Sequence, residues 1–209
     1  MLIQKFHPGL QPGQQLAVAG SGTPLFSRQS HWDCCGALHC VAMALALLGR
    51  LDDPVDIRRS DAGPEASFWD RAWPHYLHGL TLTELASFVW ELNLGVRPVA
   101  ARAGQTTVLR FCEQELSRGA PVIVGWRSLH PVQRRASLAI GVEGLRRQRA
   151  FSPHALLILD PAGMEPGLAA CNARLEFGRD RRIAYVTATA KHRVAVDGAV
   201  SIRLLKAGS

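Results

Sequence analysis

Gly119-Ala120-Pro121-Val122-Ile123-Val124-Gly125-Trp126 marks the point where this chain changes character. Upstream, apolar residues recur at helical spacing. From Pro121 on they come in short unbroken runs between Gly, Pro and charged residues. A run of that kind predicts a strand buried on both faces. Ser137 to Val142, Ala155 to Leu159 and Ile183 to Thr189 repeat the pattern. Arg193 to Val196 and Val200 to Leu205 flank Asp197-Gly198, a dipeptide that favours a hairpin turn.

Before that point the signals are helical. From Cys35 to Leu48, the residues Leu38, Val41, Ala42, Leu45 and Leu48 line one face, and Gly49 supplies a stop. The abundance of alanine widens that face and predicts a central helix. Residues 50–80 read as loop-rich, anchored by Phe68, Trp69, Trp73 and Tyr76. Thr81 and Glu84 form a capping box ahead of Leu85, Phe88, Val89 and Leu92, and that helix stops at Gly95. Val96 to Ala101 is a strand candidate, and Gln105 to Arg118 a third helix. Helices first and strands second is the α+β order. Residues 1–28, rich in Pro, Gly and Gln, read as an arm lying on a domain formed by 29–209.

With 209 residues, 47% of them hydrophobic and 20% charged, the chain can bury a full core. The longest apolar run, Val41 to Leu48, falls far short of the ~20 residues a membrane span requires. No secretory leader is evident, so the expected compartment is the cytoplasm and no membrane partner is expected. The net charge of +7 comes from 24 basic residues, all arginine except Lys5, Lys191 and Lys206. They pair up in polar stretches without interleaved aromatics, which argues for a solvated surface and against nucleic acid. An odd count of five cysteines in such a compartment points to reactive or buried thiols, with no disulfide framework.

The unusual segment is Gln29-Ser30-His31-Trp32-Asp33-Cys34-Cys35-Gly36-Ala37. A cysteine in the first turn of an apolar helix meets free backbone N–H groups and the positive end of the helix dipole. Both favour thiolate and make the sulfur nucleophilic near neutral pH. A buried structural cysteine would produce the same pattern.

Gln29, six residues before Cys35 with Gly36 following, resembles the motif of papain-like cysteine peptidases, above all their bacteriocin-processing, double-glycine-cutting branch and its free-standing relatives. Gly119 to Val124 is similar to that family's first core strand, and Leu159-Asp160-Pro161 to its Asp-Pro step. The likeness spans about residues 25–165. It implies an α+β fold with the N-terminal helices packed on a C-terminal antiparallel sheet. It also implies a thiol peptidase or amidase acting on a peptide or protein, without a cofactor or catalytic metal. Cys35 would attack the carbonyl, and Gln29 and the Cys35 amide would hold the oxyanion. A histidine would act as base, oriented by Asp or Asn. If Cys34 were the nucleophile instead, Cys35 would replace the glycine. The spacing from Gln29 favours Cys35.

The histidine departs from the pattern. Opposite Asp160, antiparallel register would place it near Arg135 to Ser137, where there is none. Three solutions stay open. His130 lies in the loop before that strand. His154 precedes Ala155-Leu156-Leu157-Ile158-Leu159, but lies ~20 Å from Asp160 at ~3.3 Å per residue. Asn172 would then be its orienting partner. Third, the base is missing and the domain is an interaction or peptide-binding module. His154 is carried forward with Cys35, Asp160 and Gln29 as the site.

A rival reading is a metal cluster of His31, Cys34, Cys35, His39 and Cys40. Only Cys35 and His39 share a helix face, and no second knuckle closes a tetrahedron, so no metal is expected. Cys112 and Cys171 read as inert. The five tryptophans read as core, except Trp32, which could wall a groove beside the nucleophile.

Overall fold

A computed structural model describes residues 1–30, 33–102, 105–148, 150–178, 180 and 182–205. The chain opens with β1 (Leu2–Phe6), β2 (Leu10–Gln11) and β3 (Ala17–Val18). Next come α1 (Gly36–Leu47), α2 (Gly63–Ala72), α3 (Leu82–Glu91), β4 (Val96–Arg102) and α4 (Gln105–Ser117). Six strands complete it: β5 (Val122–Ser128), β6 (Arg134–Arg147), β7 (Ala150–Leu159), β8 (Ala173–Phe177), β9 (Ile183–Val186) and β10 (Lys191–Leu204).

These last six strands form a ring. The order runs β6–β5–β10–β9–β8–β7, and β7 pairs back onto β6, all antiparallel. The architecture is therefore a closed six-stranded barrel with few helices. The expected arrangement, helices packed on an open antiparallel sheet, is overturned. The cause lies in β6. It pairs with β5 along Arg134–Ala139 and with β7 along Leu138–Arg147, so one long strand serves both sides of the seam. Two register shifts, between Ala139 and Gly141 and between Glu143 and Gly144, let it coil as closure demands. β1 adds to β6 and β4 to β10 outside the ring.

Closure explains why the strands read as continuous apolar runs. Val122 and Val124 of β5, Leu156 and Ile158 of β7, Leu175 of β8 and Ile183 of β9 belong to one core, the barrel interior. Val108, Cys112 and Leu116 of α4 join it. The alternate residues Ile123, Leu138, Ile140, Leu157, Leu159, Val200 and Ile202 face outward into a second core under α1 and α3. Each fully buried large aliphatic side chain contributes roughly 1.5–3 kcal/mol. Glu115 ties α4 to the barrel: buried, it accepts from Arg203 Nε at 2.6 Å and Ser201 Oγ at 2.8 Å.

Local expectations fare unevenly. The Thr81–Glu84 capping box is present on α3. Residues 50–80 contain α2, which the sequence reading missed. Asp197-Gly198 makes no hairpin, because β10 runs straight through it between β4 and β5, bulging between Val196 and Gly198. Gly198 suits the bulge, since a Cβ there would meet the Ala101 carbonyl oxygen at 2.8 Å. Trp73 and Trp90 are exposed rather than core, at 63% and 61%. Among the described residues no helix is long and apolar enough to cross a membrane.

Candidate functional site

Every residue of α1 from Ala37 to Leu47 is buried except His39, so the helix is central to the outer core. Its N-cap is Cys35, at φ −99° and ψ 27°, with no side-chain capping bond. Asp33 takes over that task from the loop: its Oδ1 accepts from the Cys35 amide at 3.2 Å, and its Oδ2 from the Ser30 amide and hydroxyl, both at 2.8 Å. His39 Nε2 lies 3.7 Å from Oδ1, and the Tyr76 hydroxyl donates to Oδ2 at 3.4 Å. Burial opposes charge on Asp33, but the bonds from His39, Ser30 and the Cys35 amide outweigh it. They hold the carboxyl well below the usual carboxylate range.

Gln29 lies against the same helix start. Its Nε2 donates to the Asp33 carbonyl at 2.6 Å, and its Oε1 is 3.1 Å from where a Cβ on Gly36 would sit. The Ala136 carbonyl of β6 is 3.6 Å from that point, so a larger residue at 36 would press on the Gln29 side chain. The Gln29 amide donates to the Pro161 carbonyl at 2.9 Å. The fold thus brings Gln29, Cys35 and the Asp160-Pro161 step together.

The thiol faces the other way. Cys35 is 1% exposed, and its Sγ donates to the carbonyls of Tyr76 and, at 3.4 Å, His75. Burial first, then the negative charge of Asp33 and the neighbouring Cys34, push its pKa up to about 12. Desolvation and a neighbouring carboxylate thus act against the thiolate that the start of a helix was expected to favour. Cys34 is exposed. Cys40 and Cys112 are buried, and burial raises both thiols.

The two histidines expected as candidate bases, His154 and His130, lie on other elements. His154 lies within β7 with Nε2 3.3 Å from Glu143 Oε1, six residues from Asp160 along the strand. His130 is exposed in the turn between β5 and β6. Asn172 closes the loop after β7: its Oδ1 accepts from the Asp160 amide at 2.8 Å, and its Nδ2 donates to the Asp160 and Met164 carbonyls, both at 2.9 Å. Asp160, 1% exposed, accepts from the Tyr185 hydroxyl at 2.6 Å and the Ala162 amide at 3.0 Å. Arg135 is also close, with Nη1 3.8 Å from Oδ2. Where the resemblance implies an imidazole, β6 therefore carries Arg135 and Ala136. Residues His31 and Trp32 lie outside the described residues, as does any part of the metal reading that rests on His31. Among the described residues no three of His, Cys, Asp and Glu converge to hold a metal ion.

The sequence reading missed an open cleft beside the thiol. Leu38 and Ala42 of α1 and Phe68 of α2 line it, together with Ser27, Cys35, His39, Arg58, Trp69 and Tyr76. His39 Nδ1 is 2.8 Å from Ser27 Oγ, so the one half-buried polar residue of α1 is held on both ring nitrogens. Trp73 stacks on Tyr76 with centroids 6.0 Å apart, and Trp69 meets Tyr76 edge-on at 5.7 Å. The aromatic density of 68–76 was the available signal. Phe68, Trp69 and Tyr76 pack on the core as anchors, and Trp73 is exposed. No protein-family model matches the chain, and no curated protein matches it.

Proposed function

We propose that the protein is a peptide-binding module built on a thiol-peptidase type of site whose sulfur is chemically silent. One observation carries this reading. The Cys35 thiol is buried and donates to the Tyr76 and His75 carbonyls, while Arg135 occupies the place beside Asp160. A thiol peptidase needs an imidazole near its sulfur to hold the thiolate and protonate the leaving amine. A guanidinium cannot serve, because it does not give up its proton in the working range. What is left beside the inert thiol is an aromatic-walled cleft.

A thiol peptidase or amidase is the second reading. It is favoured by Gln29 lying against the start of α1, as the resemblance to papain-like peptidases implies for an oxyanion donor. Catalysis would require the 73–79 segment to lift from Cys35 and a base to come from another residue.

Iodoacetamide labelling at pH 7, read by peptide mass spectrometry, separates the two. Cys34 should be modified well before Cys35, and peptides incubated with the protein should be recovered intact. Faster labelling at Cys35, or peptide cleavage that Cys35→Ser abolishes, would replace the binding module with the enzyme.

A further inference from the structure

Arg58 is the unusual member of the cleft. Its guanidinium lies over the Tyr76 ring at 4.7 Å and the Trp69 ring at 5.1 Å, and its Nη2 donates to the Tyr76 hydroxyl. Two aromatic faces thus fix the plane of a long side chain that would otherwise lose rotamer entropy on binding. The neighbouring Arg59 pairs with Asp56 at 3.1 Å, but Arg58 has no carboxylate partner among the described residues. Asp33 is one hydroxyl away, with its oxygens already engaged by Ser30, the Cys35 amide and Tyr76. An oriented guanidinium with free donors at the rim of an apolar cleft matches a carboxylate, which it can grip through two parallel bonds.

The rest of the cleft calls for something apolar. Leu38, Ala42 and Phe68 supply its walls, and the exposed Trp73 stacks on the lining residue Tyr76. Because Arg58 itself lines the cleft, one ligand residue must present both an apolar side chain and a negative charge. An internal residue of an extended peptide offers only one of these. A C-terminal residue with an apolar side chain offers both. Resting on the binding-module reading above, we propose that this cleft takes the free C-terminus of a peptide, with the last side chain in the pocket and the α-carboxylate on Arg58. The inert Cys35 thiol then forms part of the pocket wall.

The test uses fluorescein-labelled tetrapeptides, three alanines followed by leucine or phenylalanine, each as free acid and as C-terminal amide. In fluorescence polarisation the acids should bind about tenfold or more tightly than the amides. Arg58→Gln should erase that difference, while Arg59→Gln should preserve it. A circular dichroism melt of each variant checks folding, and 1 M salt should weaken the acids selectively. Equal affinity of acid and amide overturns the C-terminus proposal and leaves peptide binding standing. Failure of every peptide overturns both readings. Octanoate binding more tightly than the acids reassigns the cleft to a free aliphatic carboxylate and overturns the peptide assignment.

Discussion

Two buried carboxylates on adjoining strands of the barrel keep different company. Asp160, just past β7, is met by the Tyr185 phenol at 2.6 Å and by Arg135 at 3.8 Å. Glu143, on β6, is met by Arg174 at 2.6 Å, Gln4 at 2.7 Å and His154 at 3.3 Å. Each carboxylate has a guanidinium beside it, and Glu143 has the His154 imidazole as well. An imidazole can move a proton near neutral pH where a guanidinium cannot. The lesson is that a triad's residue types can all occur in a chain while the fold distributes them to different carboxylates.

The largest effect should come from Asp160. Asp160→Ala strands the Tyr185 hydroxyl and the Ala162 amide and leaves Arg135 unpaired, so about 3 kcal/mol of stability should be lost in urea unfolding. A loss well under 1 kcal/mol would make the Asp160 site a solvated pair and dissolve the contrast.

Asp33 comes next. Its folded-state carboxyl titrates below its unfolded range. Its contribution is therefore complete above the unfolded carboxyl pKa near 4 and is lost as pH falls below that value. Asp33→Asn should cost about 2 kcal/mol at pH 7 and less at pH 3, bringing the two proteins together in acid. A penalty that grows on acidification would reverse the assignment.

The smallest effect belongs to His154, whose ring is partly exposed beside Glu143. His154→Ala should cost under about 1 kcal/mol and leave the pH profile of Cys35 alkylation unchanged. A shift of that profile would return His154 to the thiol and end the comparison.

The α1 helix, the α3 capping box and the apolar strand runs were legible because each depends on residues within a turn or two of one another. Closure of the barrel was not. It depends on β6 extending through Arg134-Arg135 and Gly144-Leu145-Arg146-Arg147, charged or glycine-containing stretches that look like loop until two neighbours supply hydrogen bonds. Asp197-Gly198 misled for the same reason: a turn dipeptide bulged within a strand because partners flank it on both sides. At the site, the Gln29–Cys35 spacing led to true neighbours, and Asp160-Pro161 joined them through the Gln29 amide. The partners of the sulfur were hidden, since the Tyr76 and His75 carbonyls lie some forty residues onward and are brought in only by tertiary packing.

The pairing of β1 with β6 also bears on how the molecule is made. Gln4 and Glu143 are 139 residues apart, yet the Gln4 side chain bonds the buried carboxylate at 2.7 Å, and the flanking backbones run in register from Leu2 to Phe6. During synthesis β1 therefore leaves the ribosome long before its partner exists and waits with its edge unsatisfied. Docking it closes a very long loop, a step whose entropy comes due before its contacts are rewarded. Barrel closure and β1 docking should accordingly be the late, slow events of folding, and a nascent chain stalled before β6 would carry an open strand ready to pair with another copy of itself.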